Sequence, residues 1–184
     1  MSESPAARGL VLVVLAGKPG TGKTTIGRRL AARLQAAYLR TDSIAGSVLF
    51  GGLTRDPAAA GRAAYDIARE VALENLRVGV PVLIDGVQAT RERRASWRRI
   101  AETGGARLVQ IEMTVSDPVE HRRRVDERQA AGYPGPTWGE VATFDYDVWN
   151  DQLDGARLVV DTSDAEQALA RCLDYAWGVA SDTP

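Results

Sequence analysis

The 184-residue sequence predicts an α/β fold in which a five-stranded parallel sheet carries helices on both faces. Three observations lead to this prediction. Five short apolar runs alternate with helical patterns, the first run "LVLVVLA" (10–16) is apolar at every position, and a glycine-rich loop joins it to the first helix. A continuous apolar run is typical of a parallel strand covered on both faces. Strands that alternate with helices favour right-handed crossovers in an α/β sheet.

The first half of the chain contains three of these strands. The strand at 10–16 leads through the glycine loop to a helix whose apolar residues Ile26, Leu30, Ala31 and Leu34 recur at helical spacing. The elements predicted next are a short strand at 37–41, a weak helix at 44–50, a long helix at 58–78 that ends at Gly79, and a buried strand at 81–85.

Helix caps organise the second half. Thr90 is predicted to cap a helix with Trp97 on its inward face, and Asp117 followed by Pro118 predicts the start of a helix that runs to about residue 131. The "GYPGP" stretch at 132–136 then breaks that helix. The remaining elements are a strand at 106–115, a helix at 140–153, a strand at 156–161, and a last helix with a capping box formed by Ser163 and Glu166.

The composition is that of an ordinary globular protein. The formal net charge of −1 gives no global electrostatic reason to bind nucleic acid or an anionic membrane. Cys172 is the single cysteine, which excludes an intrachain disulfide and a cysteine-rich metal site and suits a reducing cytoplasm. The first apolar run ends after seven residues, too short to cross a membrane. We expect a cytoplasmic single domain over 1–184, a monomer or homodimer, with loose ends at 1–8 and 180–184.

The glycine loop carries the most specific signal in the sequence. Its residues fit the pattern G-x-x-x-x-G-K-[ST] between a strand and a helix, which is the context that gives this phosphate-binding motif its meaning. Glycines let backbone amides converge on a phosphate, and the helix directs its N-terminal dipole at the same anion. The pattern predicts binding of a nucleoside triphosphate, most simply ATP, by Gly17, Pro19, Gly20, Thr21, Gly22, Lys23, Thr24 and Thr25.

Three classes of protein use such a loop: kinases, GTPase switches and mechanical ATPases. A GTPase of this group is expected to contain an N-K-x-D sequence that reads guanine, but neither Asn75 nor Asn150 is followed by lysine. Mechanical ATPases usually need a longer chain. A transferase therefore fits best, with Lys23 on the β and γ phosphates and the Thr24 hydroxyl on Mg²⁺.

Two aspartates follow predicted strands, at the sheet edge where ligands of open α/β sheets bind. Asp42 lies just past the second strand and could accept a proton from an acceptor hydroxyl, or it could cap a helix that starts near Ser43. Asp85 ends the apolar strand "PVLID" and could hold Mg²⁺ together with Thr24, or it could serve as a cap or turn residue.

The run "EHRRRVDERQ" (120–129) places several arginines on one helix. Arg124 and Arg128 are four residues apart and share a face, which could fold over the phosphates as a lid spanning about 117–138. The alternative is an exposed surface of ion pairs that contribute little. His121 has no nearby partner for a triad or zinc site. The aromatic candidates for an acceptor pocket, which could equally be packing residues, are Tyr133, Trp138, Tyr146 and Trp149.

The ordered blocks "GKPGTGKTT", "RTDSIAGSVL", "VLIDGVQATRERRASW" and "HRRRVDERQ" resemble the P-loop small-molecule and polynucleotide kinase group, which includes polynucleotide kinase domains, zeta-toxin-like kinases, and gluconate and chloramphenicol kinase-like enzymes. The resemblance covers about 10–161. It implies a P-loop NTPase three-layer sandwich with a helical lid, Asp42 as general base, and Arg124 and Arg128 as lid arginines. It also implies that Asp161 and Thr162 approach the adenine.

One position departs from polynucleotide kinase. That enzyme has a phosphate-gripping arginine three residues after its base, and this chain has Ala45 there. Phosphate contacts dominate nucleic-acid affinity, so nucleic acid is disfavoured as a partner and a small-molecule hydroxyl acceptor is favoured. The sequence thus predicts an ATP- and Mg²⁺-dependent kinase. A polynucleotide 5′-hydroxyl kinase and a nucleotide-dependent regulator remain open alternatives.

Overall fold

The apolar runs form a parallel sheet. In a computed structural model, which describes residues 9–132 and 135–178, its strand order is β2-β3-β1-β4-β5. The strands are β1 Val11–Ala16, β2 Ala37–Arg40, β3 Val82–Asp85, β4 Arg107–Thr114 and β5 Leu158–Asp161. Every pairing is parallel, and all six residues of the central strand β1 are buried, as its continuous apolar sequence requires. The predicted fold class is confirmed.

Helices cover both faces of this sheet. Successive side chains of a strand point to opposite faces, so Val13 and Leu15 pack on one side of β1 while Leu12 and Val14 pack on the other. The described helices are α1 Lys23–Leu34, α2 Thr41–Phe50, α3 Pro57–Arg77, α4 Arg91–Thr103, α5 Pro118–Ala130, α6 Trp138–Ala142, α7 Asp151–Asp154 and α8 Ala165–Trp177. Helices α1 and α8 supply the first layer, and α3 and α4 supply the second.

The helix predicted at 140–153 is wrong. The segment instead contains the short helices α6 and α7 with irregular backbone between them. Tertiary contacts hold this backbone: the Asp147 N–H donates to the Ala89 carbonyl at 2.8 Å, and Arg94 Nη1 donates to the Asp147 carbonyl at 3.3 Å. The backbone groups of Asp147, which a continuous helix would pair internally, are thus bonded to Ala89 and Arg94 around the start of α4. These tertiary hydrogen bonds outweigh the local helical pattern of the sequence.

Two predicted helix starts also differ. The capping box of α8 does not form, because Asp164 is the N-cap residue and accepts from the Glu166 and Gln167 N–H groups, while the Glu166 carboxylate pairs with Arg29. Helix α2 begins at Thr41, which makes Asp42 the second helical residue rather than an N-cap. The Asp42 carboxylate is therefore not used as a cap.

The ends of the fold and its single-domain character remain predictions. The expected loose ends, 1–8 and 180–184, lie outside the described residues, as does Tyr133. Among the helices of 9–132 and 135–178, none has the length and apolarity needed to cross a membrane.

Candidate active site

The glycine loop wraps the space above the start of α1. Gly17, Gly20 and Gly22 have φ values of 129°, 88° and 81°, in the left-handed region that favours glycine. A Cβ at Gly17 would lie 2.2 Å from the Met113 carbonyl oxygen, so β4 itself requires a glycine there. Lys23 opens α1, and the N-terminal amides of this helix face the loop, an arrangement that favours anions.

The Lys23 side chain lies within the loop. Its Nζ donates to the carbonyl oxygens of Gly17 at 2.7 Å and Lys18 at 2.8 Å. Burial lowers the pKa of this ammonium from 10.5 to about 8, although the nearby carboxylates of Asp85 and Asp42 partly oppose the shift. Both of these acceptors are backbone oxygens of the glycine loop, so the ammonium is held against the loop itself.

Asp85 is the best-defined carboxylate of the site. It ends β3, its side chain is 3% exposed, and its Oδ2 accepts from Thr24 Oγ1 at 2.7 Å and from Tyr38 OH at 2.6 Å. Burial, followed by the hydrogen bond to Asp85, raises the pKa of Tyr38, which keeps this phenol a donor. Arg40 Nε lies 3.8 Å from the same oxygen. The carboxylate is therefore fixed from β2 and α1 together.

Thr24 and Asp85 form a donor set suited to Mg²⁺. Both offer hard oxygen ligands, and their oxygens lie within hydrogen-bond distance of one another. Mg²⁺ is usually bound through one or two protein groups together with water and substrate phosphates. The described part of the chain contains no group of three or more His, Cys, Asp or Glu residues able to form an all-protein metal cage. This pair therefore fits a metal that arrives with a nucleotide.

Asp42 is the second carboxylate of the site and lies in the first turn of α2. Its carboxylate is 63% exposed and pairs with Arg40 Nη2 at 3.2 Å. The side chain lines the same cavity as Lys23 and Asp85. A carboxylate in this place can orient a hydroxyl group and accept its proton.

The arginines of α5 divide into two groups. Arg122 and Arg123 form exposed ion pairs with the acidic residues of their own helix, which is the solvated surface foreseen as the alternative. Arg124 also pairs with Glu120 of its own helix at 2.7 Å, but in addition it donates to the Thr162 hydroxyl at 2.9 Å and to the Thr162 carbonyl at 3.1 Å. Arg128 lines the cavity, where burial lowers the pKa of its guanidinium and the carboxylates of Asp42 and Asp85 oppose that shift.

The loop after β5 closes the opposite side of the site. The buried Thr162 hydroxyl donates to the Thr21 carbonyl at 3.0 Å, which joins this loop to the glycine loop. The Asp161 carboxylate accepts from the N–H groups of Ser116 and Ser163, each at 2.7 Å. Hydrogen bonds from the side chains of Ser163 and Ser116, followed by those from their N–H groups, lower its pKa. Asp161 therefore stabilises the loop, and its approach to a bound base stays a prediction.

His121 connects α5 to the glycine loop. Its Nε2 lies 2.7 Å from the Pro19 carbonyl oxygen, and its ring packs edge-on against Trp138 at a centroid distance of 5.3 Å. A Cβ at Gly20 would lie 2.6 Å from Val125 Cγ2, so the helix and the loop are in direct contact. The arginine-bearing helix is thus attached to the loop that it was predicted to cover.

A cavity of about 1090 Å³ brings most of the predicted site residues together. Gly17 and Thr21 line instead a smaller cavity of about 210 Å³, together with Tyr146. Trp138 and Trp149 line neither cavity, whereas Phe144 lines the larger one. The predicted residues that line the larger cavity are Pro19, Gly20, Gly22, Lys23, Thr24, Thr25, Asp42, Asp85, Arg124, Arg128 and Thr162.

Sequence reasoning missed Tyr38, Arg40 and Phe144 and found no partner for His121. Tyr38 and Arg40 lie on β2, the strand adjacent to β3, and the register pairs Arg40 with Asp85. Aligning the ends of these two strands in the sequence could therefore have identified Arg40 as a neighbour of Asp85. No comparable signal identifies Phe144, because its position depends on the irregular segment between α6 and α7.

Comparison with known proteins gives this geometry a family. The AAA_33 family, described as an AAA domain, matches residues 12–158. A shikimate kinase of Corynebacterium efficiens is 31% identical over 148 residues, which cover 72% of this chain and 84% of that protein.

Two solved structures share the fold. A protein of Chloroflexus aurantiacus has 22% identity and a TM-score of 0.74, covering 91% of this chain and 96% of its own. A gluconokinase of Sinorhizobium meliloti has 15% identity and a TM-score of 0.60, covering 91% and 90%. The chain belongs to the AAA_33 family and is a member of the P-loop kinase group.

Proposed function

We propose that this protein is an ATP- and Mg²⁺-dependent kinase that transfers the γ-phosphate to a hydroxyl group of a small molecule. The observation that carries the proposal is the shared cavity, because Lys23, Thr24, Asp85, Asp42 and Arg128 all line it. At about 1090 Å³ it exceeds the roughly 300–1,000 Å³ of common single-ligand pockets. The space suits a donor and an acceptor bound together.

The glycine loop binds the donor in this mechanism. Backbone amides of the loop and the start of α1 surround the β and γ phosphates, and the Lys23 ammonium lies beside them. Arg124 faces the junction of the glycine loop and the loop after β5, with its Nη1 3.8 Å from the position of a Cβ at Gly22. Its guanidinium therefore adds positive charge on the side where Thr162, Ser163 and Ala165 line the cavity.

The metal pair has a defined task. Thr24 and Asp85 would hold Mg²⁺, which when bound neutralises negative charge on the transferring phosphate. Tyr38 and Arg40 keep the Asp85 carboxylate oriented, because the Tyr38 phenol donates to it at 2.6 Å and Arg40 Nε lies 3.8 Å away.

Asp42 acts on the acceptor. Its carboxylate orients the acceptor hydroxyl and takes the hydroxyl proton as the oxygen attacks the γ-phosphorus. The new P–O bond forms while the bond from that phosphorus to the β–γ bridging oxygen breaks, and ADP leaves with the bonding electrons. Arg128 extends from α5 toward the same region and stabilises the charge that develops on the transferring group.

Relatives support a small-molecule acceptor. The names of the matched proteins identify a shikimate kinase and a gluconokinase, and both names describe kinases of small compounds. The cytoplasm remains the proposed location, because the single cysteine Cys172 is buried and free.

A mass-spectrometric screen tests the function directly. The protein is incubated with ATP, Mg²⁺ and a pool of sugars, hydroxy acids, nucleosides, antibiotics and 5′-hydroxyl oligonucleotides, and phosphorylated products are identified by a mass gain. The Asp42→Asn variant serves as the matched control, since it keeps size and polarity but removes the base. We expect a small-molecule product whose rate falls by a factor of about 10²–10⁴ in the variant.

The same screen separates the alternatives. Phosphate on the oligonucleotides alone would establish a polynucleotide 5′-hydroxyl kinase. Slow ATP hydrolysis with no phosphorylated compound in any class would favour a nucleotide-dependent regulator. An Asp42→Asn variant that works as fast as the parent would refute the base role while leaving the kinase function intact.

A further inference from the structure

We infer that the acceptor is an uncharged hydroxyl compound with a flat apolar or aromatic face, and that Phe144 determines this specificity. The inference rests on the kinase function proposed above and adds the class of its acceptor. It concerns one half of the large cavity, which we call the acceptor half: Asp42, Pro57, Gly86, Val87, Pro136 and Phe144, with Arg40 and Arg128.

The sheet order separates this half from the nucleotide. Strands β2 and β3 lie on one side of β1, and β5 lies on the other. The start of α2, directly after β2, supplies Asp42, and the turn after β3 supplies Gly86 and Val87. The loop after β5 supplies Thr162 and Ser163. The glycine loop follows β1 and runs between them. A nucleotide that binds beside Thr162 and Arg124 therefore leaves the side of the cavity near β2 and β3 available for the acceptor.

Apolar side chains also line the cavity that contains Asp42. Phe144 lines the cavity together with Val87 of the β3–α4 turn, Pro57 of α3, and Ala131 and Pro136 that follow α5. An aromatic ring offers a planar surface for stacking or edge contacts with another apolar ring. Ligand pockets commonly combine such a surface with a few polar groups that fix orientation. Here the polar group that meets the hydroxyl is Asp42.

Phe144 is held in place by its segment. Its N–H donates to the Val141 carbonyl at 3.3 Å, and three residues later Asp147 is bonded to the Ala89 carbonyl at 2.8 Å. The Asp147 carbonyl also accepts from the buried Arg94 at 3.3 Å. The stretch that carries the ring is thus hydrogen-bonded to α6 at its start and to the turn before α4 at its end. A fixed wall discriminates between ligand shapes better than a mobile one.

The guanidiniums of the acceptor half lie near two carboxylates, that of Asp42 and that of Asp85 at the border with the nucleotide. The carboxylates of Asp42 and Asp85 face the guanidinium of Arg40 at 3.2 Å and 3.8 Å, and Arg128 lies close enough for both carboxylates to affect its pKa. Arg28 also lines the cavity, but it is exposed to solvent, which weakens its interactions. A carboxylate or phosphate beside Asp42 would meet a like charge there. An uncharged acceptor avoids this repulsion.

The test compares classes of acceptor. Four groups are offered with ATP and Mg²⁺: neutral hydroxyl compounds with an aryl group, such as phenyl glucosides and nucleosides; their matched free sugars; hydroxy acids; and 5′-hydroxyl oligonucleotides. We expect kcat/KM to be highest in the aryl group and at least tenfold lower for the matched free sugars. Efficient transfer only to the acids, the free sugars or the oligonucleotides would overturn this inference and leave the kinase function standing. Transfer to no group would contradict the kinase function itself.

Variants of Phe144 complete the test. Phe144→Ala should raise the KM for an aryl acceptor about tenfold while leaving the KM for ATP within about twofold, and Phe144→Tyr should restore it. Val148→Ala is the matched control, because Val148 belongs to the same segment and is 85% exposed. A purely structural role would shift both KM values or the melting temperature, so an equal rise for ATP and acceptor, or no change in either, would overturn the assignment.

Discussion

Raising the pH through about 8 should weaken nucleotide binding, because Lys23 loses its proton in that range. Burial lowers the pKa of this ammonium from 10.5 to about 8, and Asp85 and Asp42 offset only part of the effect. The charged form therefore predominates at neutral pH and the uncharged form above pH 8. Only the charged form attracts the β and γ phosphates, so affinity is full at low pH and is lost as the pH rises.

The size of the effect follows from this pKa. If only the protonated form binds, the apparent Kd increases with the factor 1 + 10^(pH − pKa), where the pKa is about 8. Between pH 7 and pH 9 the factor rises on the order of tenfold, which corresponds to about 1.4 kcal/mol. A side chain with the ordinary lysine pKa of 10.5 would change affinity by only a few per cent across the same interval.

Calorimetric titration with a non-hydrolysable ATP analogue measures this profile. The matched control is Lys23→Arg, whose guanidinium stays charged over the whole range. Its affinity should be lower throughout, because a planar guanidinium replaces a compact ammonium, but it should not depend on pH above 7. A flat profile for the parent protein, or the same slope in the arginine variant, would refute the reasoning about Lys23.

Two further substitutions test the residues that support the site. Arg94→Met removes the buried partner of the Asp154 carboxylate at 3.0 Å and leaves that carboxylate with the exposed Arg91 at 3.7 Å. Breaking a buried pair costs about 3–5 kcal/mol, or roughly 6–20 °C in Tm at 2–4 °C per kcal/mol. The exposed Arg99→Met on the same helix should change Tm by less than about 2 °C, and an equal effect would contradict this account. Tyr38→Phe removes a donor to Asp85 at 2.6 Å. It should raise the Mg²⁺ concentration for half-maximal activity about tenfold, with Tyr175→Phe as the control variant. An unchanged Mg²⁺ requirement would show that Tyr38 does not orient the carboxylate.

Local physical constraints explain what could be predicted from the sequence. The strand β1 is readable because a strand buried on both faces must be apolar throughout, and the glycine loop is readable because its backbone has no room for a Cβ at Gly17. The caps Thr90 and Asp117 each accept from a backbone N–H two or three residues on, as predicted. In these places the residue type and its neighbours in sequence determine the structure.

Distant contacts determine the features that were missed. Arg94 bonds the carbonyl oxygens of Gln88 and Asp147 and the carboxylate of Asp154, so a residue of α4 shapes a segment some fifty positions away. The same network places Phe144 in the cavity, although nothing in its neighbouring sequence distinguishes it. Asp164 replaces Ser163 as the cap of α8 because Glu166, the expected capping-box partner, pairs with Arg29 of α1. Each correction comes from a partner that is close only in the folded chain.

The attachment of α5 to the glycine loop changes how its arginines are understood. A lid that opens freely would carry Arg124 and Arg128 away from the phosphates, but His121 contacts the Pro19 carbonyl at 2.7 Å and Val125 packs where any side chain at Gly20 would clash. The first two turns of α5 are therefore fixed relative to the loop, and Arg124 keeps its place beside Thr162. Arg128 lies one turn farther along, toward Asp42. Because one helix carries both arginines, we expect any displacement of the glycine loop to move Arg124 and Arg128 together.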